Sequence, residues 1–382
     1  MIIGIDANWL IYENAGIGKY SYFLIREILR QDKKNRYVLF ANFIRHYKKR
    51  RQILLDLIKE SKNKKCEIYI SKIPSAWRDA LSQTNVPIQW IYRKKVDLYF
   101  SSYFSGIFNN GFNKQIVVIY DLVFVHHWEH AGKKLSAYYL KRSIDAVEHC
   151  QKIIAISRST QNDIEQSLGV DESKITIAYP GVDRGLFKKQ AQAKCQIILD
   201  KYHIVKPYLL SVCTLEPRKN LESLLVACEL LPHSFRNKYQ LVLVGKSGWN
   251  NESLLNKINN FVNDEFIVIT GYVPDQDLSY LYSGAKVFVY PSVYEGFGMP
   301  PLEAMACGCP VIVSNKSSLP EVVGKAGILV EPTPTAISSA IIHILENNEL
   351  AIKLSKKGIL QAKKFTWKIS AQKIIKEFGR LK

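Results

Sequence analysis

The feature that most constrains this chain is an alternation of short apolar runs with longer amphipathic stretches, from one end to the other. The apolar runs are rich in β-branched residues, as strands are, and the amphipathic stretches have the period of helices. We predict strands at residues 2–6, 37–42, 67–70, 97–101, 115–120, 152–156, 175–178, 208–213, 239–244, 265–270, 286–290, 310–313 and 328–330. We predict helices that include 20–30, 136–150, 220–231, 334–347 and 366–378. Such alternation indicates parallel sheets covered by helices on both faces, which is the α/β class.

The number of strands indicates two domains, because about a dozen strands exceed the usual width of one doubly wound sheet. A length of 382 residues also suits two domains. Turn-forming residues at 179–183 and a polar passage at 188–196 interrupt the pattern. We therefore predict a first Rossmann-like domain at 1–190 and a second at 191–365. We expect the last helix, within 366–382, to pack back on the first domain.

The charge of the chain is strongly basic, with 53 Lys+Arg against 34 Asp+Glu and a formal net charge of +19. Residues 1–190 hold 31 of the basic and 18 of the acidic residues, and residues 41–65 alone hold nine basic and two acidic ones. Basic and bulky apolar residues are mixed in 41–65, as in segments that bind an anionic membrane surface. A solvated helix whose Lys and Arg stems surround a buried stripe would have the same composition. Nucleic acid would also suit the charge, but no recognition motif for it occurs, so we expect no nucleic-acid partner.

Other classes of protein are excluded by simple patterns. No apolar run approaches the ~18 residues that a membrane-spanning helix needs. The chain opens directly on a strand at 2–6, so no signal peptide is evident. Its seven cysteines are odd in number and scattered, which predicts thiols in a reducing compartment. We expect a cytoplasmic protein, attached to the inner face of the cell membrane if 41–65 binds lipid.

Residues 290–308 predict an anion site. A strand ends at Pro291, a loop follows, and Pro301 suits the first position of a helix that Gly308 terminates. Glycines just before a helix N-terminus let a ligand approach the backbone N–H groups closely. The carboxylates of Glu295 and Glu303 frame this loop. Carboxylates beside a phosphate are costly unless they accept hydrogen bonds, and sugar hydroxyls supply such bonds.

A second phosphate-binding element lies upstream, where strand 208–213 runs into Arg218 and Lys219. Asn220 is positioned to cap the next helix. The carboxyl ends of strands in doubly wound sheets are where ligands bind. A solvated basic loop would explain this pair alone, but together with the 290–308 segment it predicts a phosphate-binding site.

Two further strand ends belong to the same predicted edge. One strand ends at Gly245, and the next ends just before Tyr272 and Val273, where a nucleotide base could lie. Asp275 and Asp277 match the letters of a DxD metal motif. Because they follow a proline and precede a helical pattern, we interpret them as a helix cap instead.

With these motifs the second half of the chain resembles the nucleotide-sugar-binding domain of the retaining glycosyltransferases of family 4. That family has two Rossmann-like domains facing each other across a cleft, the GT-B arrangement. Glu295 and Glu303 match its E-x7-E motif, and Arg218 with Lys219 matches its basic pair. The resemblance covers residues 180–380 densely.

The resemblance implies a role for each matched residue. Arg218 and Lys219 would hold the diphosphate and stabilise charge on the leaving nucleotide. Glu303 would bind ribose hydroxyls, and Glu295 would orient the donor sugar. The other residues implied in donor binding are Gly16, Gly18, Thr214, Gly245, Tyr272, Val273, Gly296, Phe297, Gly298 and Leu302. Such enzymes use no metal and no cofactor beyond the nucleotide sugar, so we expect none here.

The first half resembles the family less closely. Gly16 and Gly18 open a helix after the first strand, as the family's first loop does, although a tight turn would look the same alone. The family often has His-Asp at the end of the strand that here ends in Tyr120 and Asp121. Asp121 would hold an acceptor hydroxyl or take its proton, and Tyr120 would donate a hydrogen bond in place of the histidine.

Two more residues are placed on the acceptor side, His127 and Arg158. Arg158 opens a helix and would add positive potential, although a capped surface helix explains it equally well. His126 and His130 have the spacing of metal ligands, but with Glu129 as the sole carboxylate nearby we expect no zinc.

The predicted function is therefore a retaining hexosyltransferase of the cell-surface polysaccharide type. Mannose from GDP-mannose is the preferred donor, and dTDP-rhamnose and UDP-glucose are the alternatives. The acceptor is a hydroxyl of a glycan or a lipid-linked glycan, and closure of the two domains would exclude water. Two other classes are kept: a sugar-nucleotide epimerase of the same fold and a basic nucleic-acid-binding protein.

Overall fold

The protein is described here from a computed structural model, over residues 1–11, 16–43, 46–72, 94–103, 114–127, 132–246, 248, 257–258 and 266–382. The chain divides into two compact units. Unit 1 is Met1–Gly181 together with Thr366–Lys382, and unit 2 is Val182–Phe365.

Unit 1 is built on a parallel sheet of seven described strands in the order β3-β2-β1-β4-β5-β6-β7. The strands are β1 Ile2–Asp6, β2 Arg36–Asn42, β3 Cys66–Ser71, β4 Leu98–Ser101, β5 Gln115–Ile119, β6 Lys152–Ala155 and β7 Ile175–Ile177. The helices are α1 Gly16–Gln31, α2 Tyr47–Ser61, α3 Val123–His126, α4 Lys133–His149 and α5 Arg158–Leu168, with 3-10 turns at Trp9–Ile11 and Glu172–Lys174. Buried apolar side chains on most strands of the sheet form the core.

The last helix of the chain, α14 Trp367–Arg380, packs on α1 and so belongs to unit 1. The Trp367 ring lies 5.4 Å from Tyr20 and stacks on Phe23 at 5.7 Å, centroid to centroid. The backbone passes very close to this contact at Gly181, where a Cβ would lie 2.2 Å from the Trp367 nitrogen. Helix α14 therefore covers aromatic side chains of α1 that would otherwise be exposed.

Unit 2 is built on a parallel sheet of six described strands in the order β10-β9-β8-β11-β12-β13. The strands are β8 Tyr208–Val212, β9 Gln240–Val244, β10 Ile267–Gly271, β11 Val287–Tyr290, β12 Val311–Ser314 and β13 Ile328–Val330. The helices are α6 Gln192–Lys201, α7 Leu221–Glu229, α8 His233–Lys238, α9 Asp275–Gly284, α10 Met299–Ala306, α11 Leu319–Val323, α12 Pro334–Glu346 and α13 Asn348–Ala362, with 3-10 turns at Pro217–Lys219 and Gly324–Ala326. Apolar side chains of α7 and α12 pack with the strands in one core.

The predicted fold class is confirmed: both units are doubly wound α/β structures. Each predicted strand is present within two residues of its predicted bounds, the largest difference being 265–270 against Ile267–Gly271. The strand order reverses between β1 and β4 in unit 1 and between β8 and β11 in unit 2. In such sheets the crevice at this reversal, at the carboxyl ends of the strands, is where ligands bind.

Two predicted helix caps are wrong. Asn220 precedes α7 but has a left-handed backbone (φ 54°), and its side-chain amide donates to the carbonyl of Pro332 at 2.8 Å instead of capping the helix. At α9 the N-cap position is occupied by Pro274, and Asp275 is the first residue of the helix. Asp277 accepts from the ammonium of Lys201 at 2.6 Å and from the Tyr202 hydroxyl at 2.9 Å. In both places a partner distant in sequence competes with the local cap.

The basic 41–65 stretch forms α2 and its flanks, with residues 44 and 45 outside the described part. The apolar side chains of Ile53, Leu54 and Leu57 are buried, whereas Lys48 and Lys49 are exposed. The apolar residues are therefore used for packing inside unit 1, and the basic ones form the surface of the helix.

The sulfur chemistry and the hydropathy agree with the sequence patterns. All seven cysteines fall in the described residues and are free thiols. No helix in the described ranges is both long and apolar enough to cross a membrane.

Candidate functional site

Two loops meet where the strand order of unit 2 reverses. The loop after β8 carries Arg218 and Lys219 in a 3-10 turn, and the loop after β11 carries Glu295. The backbone N–H of Val293 donates to the carbonyl oxygen of Arg218 at 2.9 Å, which ties the two loops together. Three predicted site residues are thereby brought into direct contact.

The centre of this contact is an ion pair between Lys219 and Glu295. The Lys219 Nζ lies 2.5 Å from Oε1 of Glu295, and the two residues are only 6 % and 7 % exposed. The same carboxylate oxygen accepts hydrogen bonds from the Tyr290 hydroxyl at 2.8 Å and from the Ser292 hydroxyl at 2.6 Å. Lys219 also donates to the Tyr290 oxygen at 3.1 Å. The buried charges are thus paired and hydrogen-bonded, as burial requires.

This environment keeps Glu295 ionised. Burial alone would raise the pKa of its carboxyl group, but the positive charges of Lys219 and Arg218 and the hydrogen bonds to it outweigh that effect. The pKa of Glu295 is lowered from 4.5 to about 2. The carboxylate is therefore a permanent negative charge at neutral pH.

Arg218 is held between two carboxylates. Its Nε lies 2.6 Å from Oε1 of Glu216, and its Nη1 lies 3.1 Å from Oε2 of Glu295. Nη1 also donates to the carbonyl oxygen of Tyr294 at 3.1 Å. The basic pair therefore faces an equal number of carboxylates, of which sequence analysis identified only Glu295.

The backbone of Glu295 is anchored from the loop after β12. The hydroxyl of Ser317 donates to the Glu295 carbonyl oxygen at 2.5 Å and accepts from the Glu295 N–H at 3.2 Å. The hydroxyl of Ser318 donates to the same carbonyl at 2.9 Å. Main chain and side chain of Glu295 are therefore both fixed.

Glu303, the second carboxylate of the motif, lies on α10 and is 6 % exposed. Its Oε2 accepts a hydrogen bond from the hydroxyl of Tyr282, a buried residue of α9, at 3.2 Å. The helix begins at Met299, two residues before the predicted start at Pro301. Gly298 precedes it with φ +99°, and a Cβ there would lie 2.7 Å from a Leu319 methyl carbon. A glycine is needed at this turn for both reasons.

Three of the residues expected to bind the donor have buried side chains. Phe297, Leu302 and Val273 are at most 3 % exposed, and the Phe297 ring packs against that of Phe365 at 5.5 Å. These side chains fill the core of unit 2. What such residues can offer a ligand is their backbone.

Two glycines lie at the strand ends near the predicted base site, and a different structural constraint acts at each. Gly245 has φ +151°, and a Cβ there would lie 1.8 Å from the carbonyl oxygen of Cys213. Gly271 has φ +68° with open space around it. The Gly245 N–H donates to the Gly271 carbonyl at 2.9 Å, which links the two strand ends.

Side chains beside these glycines reach the surface. Thr214 is exposed, and Tyr272 is 46 % exposed. The ammonium of Lys246 lies 4.9 Å from the centre of the Tyr272 ring. Lys246 was not among the predicted residues, because its place beside the tyrosine depends on the pairing of β9 with β10.

In unit 1, Tyr120 lies in the core. It is 7 % exposed, its hydroxyl donates to the carbonyl of Ser102 at 2.7 Å, and it lies 3.1 Å from the hydroxyl of Ser21. Burial raises the pKa of the phenol well above its usual range. The hydroxyl is therefore committed to internal hydrogen bonds, and this geometry does not support the predicted contact with an acceptor.

The remaining predicted residues of unit 1 lie at strand and helix ends. Gly16 is the exposed first residue of α1, and Gly18 is buried in it. Asp121 is half-buried after β5, and its Oδ1 accepts from the N–H of Val123 at 3.2 Å. Arg158 is exposed at the start of α5, which Ser157 caps.

His126 and His127 lie at the C-terminal end of α3. His127 is half-buried, and His126 Nε2 lies 3.3 Å from the carboxylate of Asp163. Glu129 and His130 lie outside the described residues. Within the described part of the chain, no three His, Cys, Asp or Glu side chains are grouped as metal ligands.

Comparison with known proteins matches both units to families. Residues 201–361 match the family described as Glycosyl transferases group 1, and residues 23–186 match Glycosyltransferase Family 4. The O-antigen chain mannosyltransferase B of Escherichia coli is 38 % identical over 232 residues, 60 % of this chain. The serotype-specific mannosyltransferase WbdA of the same species is 30 % identical over 274 residues, 70 % of this chain. These matches span 61 % and 34 % of the two relatives.

Solved structures show the same fold at low sequence identity. Sucrose-phosphate synthase from Thermosynechococcus elongatus aligns with a TM-score of 0.73 at 20 % identity, over 100 % of this chain and 99 % of that one. HepE from Anabaena, in complex with UDP-glucose, aligns with a TM-score of 0.72 at 16 % identity, over 99 % of both chains.

Proposed function

This chain belongs to the group 1 glycosyltransferases of family 4, and on that premise we propose that it transfers a hexose from a nucleoside diphosphate sugar. The acceptor is a hydroxyl of a glycan or a lipid-linked glycan in surface polysaccharide assembly. The observation that carries the proposal is the contact of Arg218 and Lys219 with Glu295 where the strand order of unit 2 reverses.

The basic pair suits the departure of a nucleoside diphosphate. Negative charge grows on the diphosphate as its bond to the sugar breaks, and fixed cations there stabilise the transition state. Arg218 and Lys219 are held in place by Glu216 and Glu295, so they need no reorganisation during the reaction. We also propose a reaction without metal, in which these two cations act on the diphosphate directly.

The two carboxylates of the motif suit the sugar parts of the donor. Ribose hydroxyls donate to Glu303, and hydroxyls of the transferred hexose donate to Glu295. Both carboxylates are held by tyrosine hydroxyls, Tyr282 for Glu303 and Tyr290 for Glu295. A carboxylate in a fixed position recognises hydroxyl groups at low entropic cost.

The transfer itself is proposed to retain the configuration at the anomeric carbon. The bond from that carbon to the diphosphate oxygen breaks, and the acceptor oxygen bonds to the same face. The hydroxyl proton passes to the departing phosphate. Asp121, half-buried at the end of β5, binds an acceptor hydroxyl.

The preferred donor is GDP-mannose. The support is the 38 % identity to a protein named O-antigen chain mannosyltransferase B, which this chain matches over 61 % of that protein's length. The same relative, named for the O-antigen chain, supports a surface glycan as the acceptor.

Donor hydrolysis without acceptor tests this proposal directly. We expect the protein to release GDP from GDP-mannose faster than UDP from UDP-glucose or dTDP from dTDP-rhamnose, with and without EDTA. Faster release of UDP or dTDP would contradict GDP-mannose as the donor. Loss of activity in EDTA would contradict a reaction without metal. Conversion of one nucleotide sugar into another would indicate an epimerase. If RNA shifted the melting temperature of the protein and none of GDP, UDP and dTDP did, the enzyme proposal would be rejected.

We also propose that the basic face of α2 binds an anionic membrane surface, where a lipid-linked acceptor would lie. Its support is the nine basic residues in 41–65 and the exposure of Lys48, Lys49 and Arg51. Because Ile53, Leu54 and Leu57 are buried, this binding rests on charge rather than on insertion of apolar side chains.

A further inference from the structure

At the proposed diphosphate site of unit 2, two buried carboxylates pair with two cations. Arg218 lies within 3.1 Å of Glu216 and Glu295, and Lys219 lies 2.5 Å from Glu295. Glu216 and Glu295 are each 7 % exposed. These four side chains sum to zero charge, although the turn is the proposed site for a diphosphate.

We propose that Glu216 and Glu295 are fixed counter-ions that weaken the grip of Arg218 and Lys219 on the diphosphate, so that the product nucleotide can leave. This inference rests on the proposed function and concerns how tightly the same site holds its product. Two exposed cations without counter-ions would bind a nucleoside diphosphate with their full charge. The buried carboxylates reduce that attraction without removing the cations.

Of the two counter-ions, Glu295 is fixed by many contacts and so stays in place when the diphosphate enters. The Glu295 carboxylate accepts from Tyr290 and Ser292 in addition to Lys219. Its main chain is held by Ser317 and Ser318. A carboxylate fixed at this many points keeps its distance from the bound phosphates, and its repulsion is a constant part of the binding energy.

The negative charge of Glu295 also persists at neutral pH and is poorly screened. The pKa of Glu295 lies far below neutral pH for the reasons given above. Buried charges are screened by salt much less than exposed ones. A like charge about 6 Å from a phosphate, at the effective dielectric constant of protein sites, changes affinity at least about tenfold.

A simple structural ion pair predicts the opposite sign. If Glu295 served only to position Lys219, its removal would leave the ammonium misplaced and would weaken nucleotide binding. If it is a counter-ion, its removal strengthens nucleotide binding. The direction of the change therefore separates the two roles.

The test measures nucleotide affinity by calorimetry for the wild type, Glu295→Gln and Glu216→Gln. The nucleotide is whichever of GDP, UDP and dTDP the wild type binds most tightly. We expect the Kd of the nucleotide to fall at least about tenfold in each variant. In Glu216→Gln, the inhibition constant of the product nucleotide, measured with the donor that the wild type uses, should fall by the same factor. The corresponding nucleoside, which carries no phosphate, should bind all three proteins alike.

Glu222→Gln is the matched control. Glu222 also pairs with a lysine, Lys257, at 2.7 Å, but both side chains are more than 40 % exposed. Its variant should bind the nucleotide as the wild type does. Melting temperatures of all variants report whether they fold, and Glu216→Gln carries the test alone if Glu295→Gln does not.

The outcomes separate this inference from the proposed function. Unchanged or weaker nucleotide binding in the folded variants would overturn the counter-ion role and leave the transferase proposal intact. A wild type that binds none of the three nucleotides would overturn the proposed function itself.

Discussion

The ammonium nitrogen of Lys219 lies 2.5 Å from a carboxylate oxygen of Glu295, across 76 residues of sequence. The first residue follows β8 and the second follows β11, two strands that are neighbours only because the sheet is doubly wound. The ion pair thus connects the two halves of the unit 2 sheet. Its loss should be felt in stability as well as in binding.

Acid should weaken the protein through Glu295. Its pKa is lowered from 4.5 to about 2, so the folded state favours the ionised form. The stabilisation is fully present above about pH 4.5, the value for the unfolded chain, and is lost as pH falls towards 2. It amounts to at most about 3 kcal/mol. Urea unfolding at several pH values between 2 and 6 should show a shallower pH dependence in Glu295→Gln than in the wild type. Parallel curves would contradict the lowered pKa.

Arg218→Ala should lower turnover by about 10²–10³, because a fixed cation beside the leaving diphosphate is lost. Initial rates with saturating donor measure this effect. Arg184→Ala, at an exposed position of the same unit, is the control and should keep wild-type rates. Turnover near normal in Arg218→Ala would remove the diphosphate role from this residue.

Glu303→Ala should weaken donor binding, with KM for the nucleotide sugar rising at least about tenfold, as expected for the loss of a hydrogen-bonded charge. Tyr282→Phe removes only the hydroxyl that holds this carboxylate at 3.2 Å, so its effect should be smaller, about fivefold. Steady-state kinetics with varied donor separate KM from kcat. A fall in kcat at constant KM in Glu303→Ala would contradict a role in binding the ribose.

Gly245→Ala should destabilise unit 2 by at least about 3 kcal/mol, because its Cβ would lie 1.8 Å from the Cys213 carbonyl oxygen. Gly271→Ala is the matched control. It has a positive φ but open space, so it should cost only about 1–2 kcal/mol. Chemical denaturation of both variants measures the difference. Equal costs would show that the close approach at Gly245 is not the reason for glycine there.

The wild type should bind liposomes that contain anionic lipid at low salt and dissociate at high salt, because the proposed contact is electrostatic. Charge reversal of Lys48, Lys49 and Arg51 to Glu should abolish binding in a sedimentation assay. Reversal of Lys353, Lys356 and Lys357, exposed lysines of α13, is the control. Binding that survives salt, or that depends on α13 instead, would contradict the role of α2.

The strands and the motif residues were predictable because they depend on local patterns. Alternation of apolar runs located every described strand, and Arg218 with Glu295 followed from their places at strand ends. Glu216, Tyr282 and Ser317 were not predicted. Tyr282 and Ser317 contact Glu303 and Glu295 from other elements, whose neighbours are set by the order of strands in the sheet and by no local pattern. Glu216 lies only two residues from Arg218, but the sequence does not show that its side chain turns towards the guanidinium.

The burial of individual side chains was also not predictable from the sequence. Leu302 and Val273 fall within matching motifs, yet their side chains lie in the core of unit 2. Tyr120 stands where the family often has a histidine, but its hydroxyl bonds to Ser102 inside unit 1. A motif gives the position of a residue along the chain, whereas the direction of its side chain depends on the packing around it.

The packing of Trp367 on Tyr20 and Phe23 affects the order in which the two units can complete their folding during synthesis. Residues 1–181 leave the ribosome first, but the helix that completes their core is translated only after all of unit 2. Unit 2 is continuous and can fold as soon as it emerges. The first-synthesised domain is thus the last to be finished, and until then its exposed aromatic surface is open to chaperones and to aggregation.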